Sequence, residues 1–368
     1  MPDSSHPYTT NATLAQLADT LRPARKVVIL THVKPDGDAA GSTLALARAL
    51  NQPGPWTSST RATPWYFGPT PPWLADVALD TPYTTFGPQD DPADPAKNKL
   101  NAAEPDAIVI LDTGSWAQLE QVREWLSPRH DRVLLVDHHV QGDPQIARLR
   151  HIDTAAAAVC QPVAELCRLL LAKDSLTALP APVAEALYLG LATDTGWFRH
   201  SNVSRAVMHT AGELLAAGAD HVRLYQTTEQ RETPSRLRLL SRALATLELH
   251  DAARIATLTL TRRDMQETHA QPGESGGFVD YGQTIPTVLV TALLTEASPE
   301  EYGQTGSGPI TKISLRSKAG PHAVDVNAIA KHLGGGGHVR AAGARLAASL
   351  EETKSRLVEL ISAQLRAS

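Results

Sequence analysis

Cysteine is scarce: Cys160 and Cys167 are the two thiols in 368 residues, seven positions apart in one helical pattern. A disulfide scaffold and a cysteine-built zinc site are therefore not expected, and a reducing cytoplasm fits best. Aromatic residues make up 5% of the chain (six Trp, seven Tyr, four Phe). That is too few for the stacking track with which proteins hold long single strands. Positive charge is not in excess either, since 34 Lys and Arg stand against 39 Asp and Glu for a formal net charge of −5. Such a balance argues against a broad basic face for long nucleic acid but leaves room for a small anion held by a few cations. No apolar run reaches the roughly 18–20 residues of a membrane span. The start, Met1 to Ala12, has no charged segment followed by an apolar one, so no export signal is expected. A serine elbow, a Walker phosphate loop, a dinucleotide fingerprint and internal repeats are also missing. What is left is a soluble, cytoplasmic, two-domain protein, each domain long enough to bury its own core.

Three short runs stand out among what is present: Val27-Val28-Ile29-Leu30, Ile108-Val109-Ile110-Leu111 and Val133-Leu134-Leu135-Val136. They are rich in β-branched residues and do not alternate with polar ones, as strands covered on both faces read. Helical patterns lie between them, Ala39 to Leu50 and Trp116 to Leu126. Alternation of this kind predicts an α/β fold with a parallel sheet and helices on both faces. Residues 51–106 hold eleven prolines and are expected to form short strands joined by loops. From Pro162 to Ala217 the pattern is helical, and Gln226 to Leu247 reads as an arginine-rich, solvated connecting helix. Arg254 to Thr261 and Thr311 to Ser317 alternate as half-exposed strands do, and Thr287 to Leu294 reads as a more buried strand. A short helix over Val324 to Leu333 runs into Gly334-Gly335-Gly336-Gly337-His338, and a last helix spans Glu351 to Arg366. The expected organisation is a catalytic domain over 1–228, a connecting helix over 229–245 and a smaller α/β domain over 246–368.

The residues that follow each buried run carry the chemistry. His32, Asp36 and Asp38 follow the first, Asp112 the second, and Asp137, His138 and His139 the third. In open α/β sheets ligands bind beyond the carboxyl ends of the strands. A fourth donor, Asp194, closes the helical run Leu187 to Ala192. One aspartate after a strand is ordinarily a helix cap or turn residue; four such segments agreeing point to a shared site. Asp36, Asp38, Asp112 and Asp194 together carry −4, which two divalent cations balance. Carboxylates and imidazoles without thiolate suit Mn²⁺ or Mg²⁺, with Zn²⁺, Co²⁺ or Fe²⁺ also binding such donors. Paired ions about 3.5–4 Å apart suit hydrolysis at phosphorus.

His32-Val33-Lys34-Pro35-Asp36-Gly37-Asp38, Asp112, Asp137-His138-His139 and Asp194 in Thr-Asp-Thr-Gly resemble the four motifs of the DHH phosphoesterase superfamily. Arg316 in Ser314-Leu315-Arg316-Ser317 and the Gly334–His338 segment resemble motifs of the DHH-associated C-terminal domain. The length and the Asp194–Asn202 segment are most similar to the NrnA-type branch of oligoribonucleases (nanoRNases) and pAp phosphatases. The resemblance implies one metal on His32, Asp36 and Asp112 and a second on Asp38, Asp112, His138 and Asp194, most often Mn²⁺. Asp137 would orient its neighbours, and His139 would stand at the phosphate or behind the ligands. It implies attack on phosphorus by a hydroxide that the two metals activate, with no amino-acid nucleophile. Arg316, Gly335, Gly336, Gly337 and His338 would hold substrate phosphate, with Arg199 a further candidate. Implied substrates are short RNA or DNA oligonucleotides and mononucleotides such as 3′-phosphoadenosine 5′-phosphate (pAp), with no membrane partner and a homodimer allowed. Alternatives are a RecJ-like single-stranded DNA exonuclease, a phosphodiesterase of cyclic or linear dinucleotides such as pGpG and pApA, and a non-catalytic nucleotide-binding protein.

Overall fold

The uninterrupted apolar runs form the interior strands of a parallel sheet. In a computed structural model, residues 8–52, 61–87, 90, 104–297, 308–320 and 322–367 are described. Much of the proline-rich stretch read as strands and loops, at 53–60, 88–89 and 91–103, therefore lies outside the described residues. The chain divides into two units, Met1–Arg231 and Glu232–Ser368.

In the first unit the strands are β1 (Lys26–Leu30), β2 (Arg61–Phe67), β3 (Thr84–Phe86), β4 (Ala107–Leu111), β5 (Val133–Asp137) and β6 (Leu149–Ile152). Their order is β3-β2-β1-β4-β5-β6, parallel throughout. Alternate residues enter two cores, which explains the lack of sequence alternation. Val27, Ile29, Val109 and Leu111 belong to one core, Val28, Leu30, Ile108 and Ile110 to the other. Pro64 sits in β2 one residue before β3 begins to pair at Trp65, so its missing N–H costs no bond to β3.

The first core is closed by helices Gly37–Asn51, Cys160–Leu170 and Ala181–Asp194. Glycine lets two of them approach closely: a Cβ on Gly41 would stand 2.4 Å from the Ala186 carbonyl oxygen. The other core is covered differently from the sequence expectation. Residues 116–126 are not one helix but two 3₁₀ turns, Trp116–Gln118 and Glu120–Val122, followed by a single α turn, Arg123–Leu126. Its buried residues Leu119, Val122 and Trp125 repeat every three positions, the period of a 3₁₀ helix.

The second unit holds β7 (Glu248–His250), β8 (Ile255–Leu260), β9 (Val290–Ala297), β10 (Ile310–Ser317), β11 (Gly336–His338) and β12 (Ala341–Leu346) in the order β11-β12-β10-β9-β8-β7. Only the β8–β9 pair is parallel. Helices Val326–His332 and Leu350–Ala367 pack on it, the last through Leu357, Ile361 and Leu365 at a spacing of four. Helix Pro234–Ala245, expected as a solvated connector, buries Leu239 and Ala243 against Leu258, Leu260 and Phe278. Arg236 lies over the Phe278 ring at 4.6 Å. This helix is part of the second unit rather than a free link to it.

Candidate metal centre

Strand order reverses between β1 and β4, where an open α/β sheet leaves a crevice at its carboxyl edge. His32 comes two residues after β1, and Asp112 directly after β4. Asp112 is only 3% exposed and has φ +64°, a left-handed conformation that ends the strand in a sharp turn. Aspartate tolerates that region better than most residues. Asp137 is the last residue of β5, with His138 and His139 in the loop beyond.

Helix ends supply the other carboxylates. Asp36 caps helix Gly37–Asn51, its Oδ1 accepting from the N–H groups of Asp38 and Ala39 at 3.1 and 3.0 Å. Asp38, in the first turn, is wholly buried. Its oxygens accept from Val159 N–H at 2.5 Å and Cys160 N–H at 3.1 Å, where helix Cys160–Leu170 begins. A helix N-terminus favours such a negative group. Asp194 is the last residue of helix Ala181–Asp194. A Cβ on Gly190 would stand 2.6 Å from Asp38 Oδ1, so the two aspartate-bearing helices meet where no side chain intervenes.

These four segments converge. His32 Nε2 lies 3.4 Å from Asp112 Oδ2 and 3.7 Å from Asp36 Oδ1. His138 Nε2 lies 3.3 Å from Asp112 Oδ1 and 3.6 Å from Asp194 Oδ2. Most of these separations exceed an ordinary hydrogen bond. Two ligands each about 2.1 Å from one cation and 90–109° apart stand roughly 3.0–3.4 Å from each other. The donor atoms of His32, Asp36 and Asp112 lie within 4.8 Å of one another, as do those of Asp38, His138 and Asp194. Oxygen and imidazole donors in two such groups fit a pair of divalent cations.

Electrostatics agree. Burial raises Asp38 well above the usual carboxylate range, and the charges of Asp112 and Asp194 add to it. Asp194 is pushed up to about 6, by burial first and then by Asp112 and Asp36. Burial opposes the charge on His32, but bonds to Asp112 and Asp36 outweigh it and raise the ring to about 10. His138 rises against the same burial to about 9 through Asp112 and Asp38. A cluster of carboxylates thus draws protons onto its imidazoles, as a site built for cations does when only protons are there.

A relative from Thermus thermophilus, named bifunctional oligoribonuclease and PAP phosphatase NrnA, is 31% identical over 342 residues, 92% of this chain and 90% of that one. The DHH family N-terminal domain matches residues 26–191, and the DHHA1 domain matches 254–367. The chain belongs to the DHH family. A Streptococcus mutans relative, named probable bifunctional oligoribonuclease and PAP phosphatase NrnA, is 25% identical over 91% of this chain and 93% of its own. A solved structure from Bacteroides fragilis, described as an exopolyphosphatase-related protein, shares the fold with TM-score 0.74 at 24% identity, covering 96% and 97% of the two chains.

In this DHH protein Asp137 is fully buried. Its Oδ1 accepts from the N–H groups of His138 and His139 at 2.8 and 3.3 Å and lies 2.8 Å from His139 Nδ1. Burial works against the Asp137 carboxylate, yet His139 and Tyr8 hold it below the usual range. Tyr8 donates to Asp137 Oδ2 at 2.5 Å, a contact the sequence did not signal. His139 is half exposed and, with His32, Asp36, Asp112, His138 and Asp194, lines a cavity of about 460 Å³.

Asp194 is followed by a left-handed run, Gly196, Trp197 and Phe198 at φ +55°, +55° and +63°. Arg199 is exposed outside that turn, its Nε donating to the Gly196 carbonyl at 2.7 Å, and is not among the cavity's lining residues. In the second unit Arg316 Nε pairs with Asp280 Oδ1 at 3.2 Å. Gly336, Gly337 and His338 form β11 rather than a loop. A Cβ on Gly335 would stand 2.1 Å from the Gly343 carbonyl oxygen, so close strand contact accounts for part of the glycine run. Beside it a cavity of about 370 Å³ is lined by Lys312, Ser314, Gly334, Gly335 and Arg345, of which the sequence reading did not single out Lys312 and Arg345. Among the described residues no helix is long and apolar enough to cross a membrane.

Proposed function

We propose that the protein is a Mn²⁺-dependent phosphodiesterase that trims di- to pentanucleotide RNA to mononucleotides and also converts pAp to AMP. One observation carries the reading: the two oxygens of the buried Asp112 carboxylate face different imidazoles, at 3.4 and 3.3 Å, each belonging to its own cluster of donors. A single carboxylate shared in this way suits two adjacent cations. Relatives named for both activities match along both units, which supports the substrate class.

On this reading His32, Asp36 and Asp112 hold one cation, and Asp38, Asp112, His138 and Asp194 hold the other. Bound there, the pair supplies Lewis-acid polarisation of a phosphate and a water acidic enough to ionise near neutral pH. The chain's own residues do the rest. Asp137 accepts from His139 Nδ1 and favours the protonated ring, whose Nε2 then donates toward the phosphate or the leaving oxygen. A protein nucleophile is not required. Cys160 is buried and raised far above its ordinary value by burial and then by Asp38, so its thiol stays protonated. The cavity hydroxyls of Thr113 and Ser115 are turned to backbone N–H groups. Arg316 with Gly335, Gly336, Gly337 and His338 is proposed to hold the substrate's other phosphate, β11 being an edge strand that presents backbone N–H groups. Arg199 is a secondary contact.

The test is a panel of 5′-labelled RNA and DNA from dimers to long oligomers, run beside pAp and bis-p-nitrophenyl phosphate with Mn²⁺. The reading expects turnover of pAp and the shortest RNAs, falling steeply with length. Preferential cleavage of long DNA would favour a RecJ-like nuclease, and no turnover on any substrate would favour a binding protein. Arg316→Ala should raise KM for a nucleotide about tenfold while sparing the small generic diester. Equal loss on both substrates would place Arg316 in the chemical step or in folding.

A further inference from the structure

We infer that Tyr8 is a positioning residue of the catalytic centre: its hydroxyl holds Asp137 in the orientation that fixes His138 and His139. The inference rests on the phosphoesterase reading above and on three observations about how the chain delivers this side chain.

First, the segment that carries Tyr8 is anchored along the outer edge of β6. Asn11 and Ala12 donate their N–H groups to the Arg150 carbonyl at 2.9 and 3.0 Å. Asn11 Oδ1 accepts from Arg150 N–H at 2.6 Å, and Thr10 Oγ1 accepts from Ile152 N–H at 2.8 Å while donating to the Ile152 carbonyl at 2.9 Å. Second, the ring occupies a slot that glycines keep open. A Cβ on Gly114 would come within 1.9 Å of Tyr8 Oη, and one on Gly142 within 2.5 Å of the ring carbons. Gly114 also lines the catalytic cavity, so Tyr8 stands directly behind its wall. Third, the slot aims the phenol at Asp137 Oδ2, 2.5 Å away.

The two carboxylate oxygens of Asp137 thus have separate duties. Oδ1 takes both loop N–H groups and His139 Nδ1. Oδ2 takes Tyr8. Rotation of the carboxylate would break both sets together, so a bond at Oδ2 limits motion at Oδ1. Burial and the neighbouring Asp137 charge raise Tyr8 above its ordinary value, which keeps the hydroxyl a donor. A buried carboxylate oxygen stripped of its donor loses a bond that water does not replace. Bonds that hold the residues around a metal centre in place are commonly worth 10–100-fold in activity or metal affinity.

Tyr8→Phe keeps the ring in its slot and removes only the hydroxyl. It is expected to lower kcat about tenfold with KM unchanged within about twofold. In the metal-free variant, the amides of the His138–His139 segment are expected to exchange hydrogen for deuterium faster than in the wild type. Tyr8→Ala empties the slot, and added phenol should then restore kcat several-fold where benzene does not. Wild-type kcat and exchange in Tyr8→Phe would overturn the inference, and so would equal rescue by benzene, which would make Tyr8 a packing residue. A wild-type protein without turnover would instead fail the phosphoesterase reading alone, because exchange in the metal-free protein still decides the role of Tyr8.

Discussion

Asp112→Asn leaves less than about 1% of wild-type kcat on pAp and on bis-p-nitrophenyl phosphate alike. The expectation follows from where Asp112 sits. Its oxygens stand between His32 and His138, so one substitution weakens both donor groups at once. Loss of a hydrogen-bond partner behind a ligand costs roughly 10–100-fold, and loss of a shared ligand must cost more. Asparagine is the informative replacement because φ at this position is +64°, which Asn adopts readily. Asp112→Ala also removes the carboxylate but adds strain of about 1–2 kcal/mol from a left-handed alanine. The two variants should therefore match in activity and differ in Tm, with Ala the lower. More than a tenth of the wild-type rate in Asp112→Asn would contradict the shared-ligand assignment.

Stripping divalent cations with a chelator should remove at least about 99% of activity and make stability fall as pH rises. In the metal-free fold His32 titrates at about 10 and His138 at about 9, both above the ordinary histidine value. Groups raised in this way stabilise the fold fully below about pH 6.5, and that contribution is lost as pH climbs through 9 to 10. Asp38 and Asp194, also raised by burial and like charge, act in the same direction. Asp194 loses its contribution as pH climbs from the ordinary carboxylate range through about 6, before the histidines lose theirs. Scanning calorimetry of the stripped protein should show Tm falling by roughly 5–10 °C between pH 6.5 and 9.5. With saturating Mn²⁺ the cations stand in for those protons, and Tm should be higher and nearly flat over the neutral range. A stripped protein whose Tm climbs with pH would contradict the charge cluster.

Much of the centre was legible in the chain because its donors follow strands whose burial is written in continuous apolar runs. His32, Asp112 and His138 could be placed at one sheet edge from strand-end position alone, and Asp194 from its place at the close of a helix. What was not legible depends on distant contacts. Tyr8 meets Asp137 across 129 positions, with no local pattern to announce it. The amides that hold Asp38 come from Val159 and Cys160, and a pair of ordinary apolar residues carries no mark of that duty. Arg316 reads as a phosphate-binding cation, yet Asp280 accompanies it in the fold. Over residues 116–126 the spacing of Leu119, Val122 and Trp125 fits a helix nearly as well as the 3₁₀ turns that form. Helix Pro234–Ala245 buries little more than Leu239 and Ala243, a stripe too narrow to stand out among its arginines.

His32, Asp36, Asp38, Asp112, His138 and Asp194 are proposed to hold two cations around one shared carboxylate. Anomalous diffraction from crystals of the full chain grown with Mn²⁺ tests this assignment directly. Two peaks about 3.5–4 Å apart are expected, both in contact with Asp112. A single peak, or peaks that leave Asp112 without a metal neighbour, would contradict it.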